Sequence, residues 1–133
     1  MSDEARVGIV LVSHSAALAE GTAEVAGQIG VGSVVIAAAG GTEDGGIGTS
    51  IARVREALHK AGASVGVVIL PDLGSSVLTV RALLAEEDFP WPVAVADGPF
   101  VEGAVAATVA AAAGGDIQAV LRAAEEARHA RKL

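Results

Sequence analysis

The sequence predicts an α/β domain built on one open, mostly parallel sheet with helices on both faces. Three observations lead there. Four short segments are apolar at nearly every position, helical stretches alternate with them, and Gly and polar residues gather after each apolar run. A strand with one solvated face alternates in polarity, whereas a strand apolar throughout is covered on both sides, which is the condition of a parallel sheet.

Residues 7–12 (Val-Gly-Ile-Val-Leu-Val) form the first such run, between a charged start and Ser-His-Ser. Residues 34–38 and 65–70 repeat the pattern, and 93–96 are a shorter version. Between them, 18–29, 47–61 and 77–87 carry apolar residues at three- and four-residue spacing with charges opposite, the mark of amphipathic helices. This alternation implies right-handed crossovers and brings the first and third strands side by side. Residues 101–113 are almost all Ala and Val and read as a helix packed closely on a neighbour. The last helix, 116–131, opens on Asp116 as N-cap, and His129, Arg131 and Lys132 at its close suit the negative end of the helix dipole. Gly114 and Gly115 separate the two. Without a repeat, linker or composition shift, residues 1–133 read as one domain.

The composition narrows the function. A chain of 133 residues suits a single domain and is too short for a nucleotide fold plus a substrate lobe. Hydrophobic residues make up 52% but aromatics only 2%, so the core is Val, Ile, Leu and Ala. Nine Lys and Arg against 16 Asp and Glu give a net charge of −7 with no basic block, which speaks against a nucleic-acid partner. The absence of Cys excludes disulfides, Cys-based zinc sites and thiol chemistry. Asp3 and Glu4 break any signal-peptide n-region, and 7–12 is too short for an h-region. Asp72, Asp97 and Glu102 interrupt the apolar stretches before any reaches the ~18 residues of a membrane span. A cytoplasmic domain without a membrane partner is expected.

In an open parallel sheet, ligands bind at the carboxyl ends of the strands. Ser13-His14-Ser15 follows the first strand, the Gly-rich 40–50 the second, Asp72-Leu-Gly-Ser-Ser the third, and 97–103 the fourth. His14 ends a buried strand and precedes a helix, whose N-terminal N–H groups favour an anion. Alternatively, it only hydrogen-bonds its own loop. Asp72 holds the matching position after the third strand. A carboxylate beside an imidazole fixes the tautomer and leaves the other ring nitrogen as nucleophile or metal ligand. Asp72 could instead cap a helix beginning near Gly74, or serve both purposes. His59 and His129 lie on polar helix faces and are assigned no role. The 40–50 loop is not a Walker A motif, because no Lys precedes Thr49 or Ser50 and the Gly spacing is wrong. Its amides can still cradle one phosphoryl group, though a plain surface turn has the same composition. With His14 and Asp72 on the same rim, a phosphoryl-handling pocket is the favoured reading.

Taken together, residues 10–15 (Val-Leu-Val-Ser-His-Ser), 18–21 (Leu-Ala-Glu-Gly), Gly40-Gly41-Thr42, 47–50 (Ile-Gly-Thr-Ser), 72–75 (Asp-Leu-Gly-Ser) and 101–105 (Val-Glu-Gly-Ala-Val) resemble the phosphotransfer subunit of phosphoenolpyruvate-dependent dihydroxyacetone kinase. That subunit's IIA domain is similar to the mannose-type IIA domain of the bacterial sugar phosphotransferase system. The motifs run in order and reach to about Gly114. The resemblance implies a doubly wound sheet of strand order 2-1-3-4, a homodimer, and a phosphohistidine relay. Phosphate would pass from phosphoenolpyruvate through enzyme I and HPr to His14, with Asp72 holding the ring. It would then pass to ADP on a nucleotide-binding subunit, and finally to dihydroxyacetone on a third subunit. HPr and enzyme I would be separate proteins, and no cofactor or metal is implied for this chain. Donors to the phosphoryl oxygens would come from amides and hydroxyls at Ser15, Gly41, Thr42, Thr49, Gly74 and Ser75. Pro71, before Asp72, departs from the small or aliphatic residue expected there.

Two other readings fit parts of the pattern. A small tetrapyrrole chelatase shares the size and the strand-end His, but it wants a second metal-ligating His opposite, and strand three ends in Pro71-Asp72. A binding domain for a phosphorylated metabolite or nucleotide would use the same Gly loops without needing His14 or Asp72.

Overall fold

A computed structural model describes residues 5–30 and 32–133. Asp3 and Glu4, which carry part of the case against a signal peptide, lie outside the described residues. The elements run β1 Gly8–Ser13, α1 Ala16–Gly30, β2 Ile36–Gly40, α2 Ile51–Ala61, β3 Val67–Pro71, α3 Gly74–Glu86, β4 Val93–Val95, α4 Phe100–Ala112 and α5 Ile117–Glu126, followed by a short 3-10 turn Ala127–His129. All the strand pairs are parallel and the order is β2-β1-β3-β4, as expected.

The apolar runs are covered on both sides. Odd-numbered residues of β1 and even-numbered residues of β3 (Ile9, Leu11, Val68, Leu70) join Ala26 of α1, Ala104, Ala107 and Ala111 of α4, and Val120 and Ala124 of α5. The opposite parity (Val10, Val12, Val67, Ile69) packs on Val54, Ala57 and Leu58 of α2 and on Val80 and Leu83 of α3. Alternate side chains of a strand point to opposite faces, so each β1 or β3 residue feeds one of two cores. The Ala- and Val-rich helix is the closely packed element its composition suggests: α4 lies on the sheet beside α1 and α5, with Gly103 against Leu70.

Most boundaries shift by a residue or more from the sequence pattern, and four shifts stand out. β2 begins at Ile36, after Val34 and Val35. α2 begins at Ile51, because Gly48 has a φ of +143° and Ser50 is the N-cap, its side chain accepting from the Arg53 amide. α3 begins a turn earlier than the apolar spacing suggests, at Gly74. α5 is capped by Asp116 as expected, but its α-helix ends at Glu126. Arg131 and Lys132 therefore lie past its end, and Lys132 Nζ pairs with Glu102 at 2.9 Å.

Pro71 is tolerated at the last position of β3. N–H groups alternate in direction along a strand. The Val67 amide points to Pro92 beside β4 and the Asp72 amide to Val12 of β1. The nitrogen of Pro71 therefore faces the β4 side, two residues beyond the last paired position, Ile69 with Val95.

One close approach fixes how the rim is assembled. A Cβ on Gly40, at the end of β2, would sit 2.5 Å from the Ser15 carbonyl oxygen and 2.7 Å from Ala16 Cα. These are backbone atoms at the start of α1 and cannot move aside cheaply. Gly27, within α1, has nothing within 4 Å of such a Cβ. Gly40→Ala is therefore expected to destabilise the fold by about 2–3 kcal/mol. Gly27→Ala should stabilise it by about 0.5–1 kcal/mol. Urea unfolding of the two variants beside the wild type measures both.

Candidate active site

β1 and β3 are neighbours, with Val12 opposite Pro71, so the residues that follow them meet at the carboxyl edge of the sheet. His14 Nδ1 lies 3.0 Å from Asp72 Oδ1, and the His14 amide donates to Asp72 Oδ2 at 3.1 Å. An ionised carboxylate only accepts, so Nδ1 carries the proton and the lone pair is on Nε2. The Ser75 hydroxyl lies 2.5 Å from Nε2, and in this tautomer it donates to it. The His14 side chain is about one-fifth exposed and that of Asp72 only 7%. The carboxylate is thus sheltered, while Nε2 lies in an exposed contact with Ser75.

Asp72 accepts five hydrogen bonds. Oδ1 takes the His14 ring, the Leu73 amide at 2.7 Å and the Ser76 hydroxyl at 2.6 Å. Oδ2 takes the Ser13 hydroxyl at 2.9 Å and the His14 amide. Burial presses the carboxyl pKa upward. The bonds from the Ser76 hydroxyl, the His14 amide and ring, and the Ser13 hydroxyl outweigh it and hold the pKa at about 2. Asp72 is not the N-cap residue of α3: Leu73 occupies that position without a side-chain cap. Asp72 sits one residue earlier and reaches Ser76 in the first turn.

The other rim residues divide into two groups. Gly74 and Ser75 supply the first amides of α3, ahead of any intrahelical acceptor, and the Ser75 side chain stands at Nε2. Such a helix start draws an anion. Ser15 is adjacent: its hydroxyl accepts from the Leu18 amide at 3.2 Å, capping α1, and its amide donates to Ser13 Oγ at 3.0 Å. Gly41 and Thr42 use their amides within the chain, on the Ser13 carbonyl at 3.2 Å and the Gly46 carbonyl at 3.0 Å. The Thr42 hydroxyl bonds Asp44 and takes the Gly46 amide. Thr49 pairs with Thr79 of α3, the two hydroxyls 2.6 Å apart. The 41–50 loop nonetheless reaches the site, because the Gly48 amide donates to the His14 carbonyl at 2.9 Å.

Two residues at the centre had no role in the sequence reading: Ser13, inside the strand-end triplet, and Ser76, four residues after Asp72. Both are fully buried. A polar residue closing an apolar run, and a Ser one helical turn past a strand-end Asp, were the signals present. His59 lies at the far end of the sheet, bonded to Glu87 at 3.2 Å, tilted against Phe89 and edge-on to Trp91. Among the described residues, no three His, Cys, Asp or Glu gather as a metal-binding group. Among them, too, no helix is long and apolar enough to cross a membrane.

The chain is similar to several known proteins. Residues 8–121 match a family model described as PTS system fructose IIA component. A relative from Escherichia coli strain K12, the phosphoryl donor subunit DhaM of PEP-dependent dihydroxyacetone kinase, is 40% identical over 121 residues, covering 86% of this chain and 25% of the relative. A Providencia stuartii protein of the same name is 33% identical, over 95% of this chain and 28% of its own length. This chain therefore spans about a quarter of those relatives. A Listeria innocua relative, a phosphoryl donor subunit of PEP-dependent dihydroxyacetone kinase 2, is 30% identical and is covered over 94% of its length, with 87% of this chain. A solved crystal structure of a protein of unknown function, EF1359, superposes with a TM-score of 0.79 at 29% identity, covering 96% of this chain and 97% of its own.

The depressed pKa of Asp72 ties stability to acid pH. The folded value is below that of the unfolded chain, so its contribution is complete above about pH 4 and is lost as pH falls toward 2. Between pH 5 and pH 2 the wild type is expected to lose about 2 kcal/mol more than Asp72→Asn, which has no such proton to take up. Urea unfolding at the two pH values measures the difference.

Proposed function

This chain belongs to the family of PTS system fructose IIA components, and from that premise we propose that it is a phosphohistidine carrier with Nε2 of His14 as the atom that holds the phosphoryl group. The observation that carries the reading is the pairing of Asp72 Oδ1 with Nδ1. It leaves the Nε2 lone pair facing the start of α3, with Ser75 at hand. A neutral imidazole is a competent nucleophile, and its N–P bond is labile enough to pass the group on. Phosphoryl transfer needs little beyond positioning and charge stabilisation, which a small domain can supply.

In the forward step Nε2 attacks the phosphorus of a phosphohistidine on HPr, itself charged by enzyme I from phosphoenolpyruvate. The Nε2–P bond forms as the donor's N–P bond breaks, and the donor imidazole leaves. Positive charge spreads over the His14 ring, and Asp72, ionised over the working pH range, lies against its Nδ1–H. The Ser75 hydroxyl turns from the lone pair to a phosphoryl oxygen, joined by the first amides of α3. In the second step a terminal oxygen of ADP attacks the phosphorus, the Nε2–P bond breaks, ATP forms and the ring returns to its neutral tautomer. That ADP is held on a nucleotide-binding kinase subunit, and dihydroxyacetone on a further subunit is the final acceptor. The names of the relatives, phosphoryl donor subunits of PEP-dependent dihydroxyacetone kinases, support dihydroxyacetone as the final acceptor.

In this reading the chain needs no cofactor or metal of its own, works in the cytoplasm, and pairs as a homodimer. Ser15, Gly74 and Ser75 line the phosphoryl group. Gly41, Thr42 and Thr49 shape the loop whose Gly48 amide bonds His14. The first turn of α3 also suits a bound phosphorylated metabolite, and the phosphorylation assay separates the two readings.

Incubation with phosphoenolpyruvate, enzyme I and HPr is expected to add one acid-labile phosphoryl group by intact mass. His14→Ala should take none. Asp72→Asn should fold and accept the group at least about 10²-fold more slowly, since the Nδ1 partner is then neutral. An unlabelled wild type, or a labelled His14→Ala, would overturn the assignment.

A further inference from the structure

Ser13 and Ser76 close the polar cluster from two different elements. Ser13 is the last residue of β1 and Ser76 the third residue of α3, and neither side chain reaches solvent. Each takes a different oxygen of Asp72: Ser13 Oγ donates to Oδ2 and Ser76 Oγ to Oδ1. The direction of each donation is fixed. Ser13 Oγ already accepts the Ser15 amide, so its hydrogen is turned to Asp72. Ser76 Oγ lies 2.6 Å from Oδ1 and 3.2 Å from His14 Nδ1. With its hydrogen on the carboxylate, its lone pair faces Nδ1, which is favourable only if Nδ1 carries a proton.

We propose that Ser13 and Ser76 are positioning residues that act through Asp72, fixing the plane of its carboxylate and the Nδ1–H tautomer of His14 so that Nε2 is the nitrogen that accepts a phosphoryl group. The proposal rests on the carrier reading above and names two further residues for it. The torsion that turns a carboxylate is broad and roughly two-fold, so Oδ1 stays in line with Nδ1–H only if both oxygens are held. Backbone amides of His14 and Leu73 supply one anchor to each oxygen, and the two hydroxyls supply the second. Removing Ser76 takes away both a donor to Oδ1 and the lone pair that disfavours an unprotonated Nδ1. Removing Ser13 frees Oδ2 on one side and unties Asp72 from the start of α1. Satisfying buried hydroxyls would by itself explain a stability cost, but not a change of tautomer.

The test uses the whole chain as Ser13→Ala, Ser76→Ala and the hydroxyl-retaining Ser76→Thr. Long-range 1H–15N spectra of the unphosphorylated proteins, at a pH where the imidazole is neutral, read the tautomer of His14 directly. In the wild type, Nδ1 should appear protonated and Nε2 not. Both Ala variants should show averaged ring nitrogens, with His59 unchanged as a check of the fold. In the phosphorylation assay, kcat for acceptance from phosphorylated HPr should fall about tenfold, the scale of one hydrogen bond to a charged group, while KM for HPr stays within about two-fold. Ser76→Thr should recover most of the rate. Folded Ala variants with the wild-type tautomer and rate would overturn the proposal, as would a Thr variant as slow as Ser76→Ala. If the wild type accepted no phosphoryl group, the carrier reading would fall, and the tautomer spectra would still decide whether the two serines position the ring.

Discussion

The hydrogen bond between Asp72 Oδ1 and His14 Nδ1 is the constraint on which the rest of the site depends. It assigns one ring nitrogen to the interior and the other to the surface, and so decides which atom is available for chemistry. A carboxylate with one partner could swing, and its charge would be costly in a half-buried place. Here five donors converge on it, and those from Ser76, His14 and Ser13 outweigh the cost of burial and hold its pKa at about 2. The imidazole therefore meets a fixed negative charge whether it is free or carrying a group.

The fold makes that meeting possible through strand order. β1 and β3 are far apart in sequence but adjacent in the sheet, because the chain crosses from β1 to β2 on one side and the next crossover carries it back past β1 to β3. The two-sided burial of β1 and β3 fixes their register, since a shift by one residue would exchange the two cores. Register in turn sets Val12 opposite Pro71 and sends His14 and Asp72 out together at the edge. Gly40 lets the end of β2 lie against the start of α1, so the Gly-rich loop can bond the His14 carbonyl through Gly48. Two helix starts, α1 behind Ser15 and α3 at Gly74, complete the surroundings of the ring.

A site of this kind asks little of the fold. A partly exposed imidazole and its sheltered carboxylate are held on the ends of two central strands of an aliphatic α/β structure.

Much of this was legible in the sequence, and the reasons differ by residue. The unbroken apolar runs determined the α/β class, because only strands covered on both faces lack polar positions. The crowding of Gly and polar residues after those runs marked the reactive edge, and His14 and Asp72 stood out as charged or titratable groups ending buried strands. Helix starts were less legible. α2 begins at Ile51 because a positive φ at Gly48 and the Ser50 cap override the apolar spacing, and α3 begins early because its first turn faces Asp72 instead of a core. The contacts of Ser13 and Ser76 with Asp72, the bonding of Thr42 and Thr49 away from the ring, and the pairing of Nδ1 with Asp72 were decided only by the tertiary structure. The periodicity of a sequence reports which face of each element is buried. Which hydroxyl meets which oxygen depends on distances between elements 58 to 62 residues apart in the chain, and those are set by strand order, register and close packing.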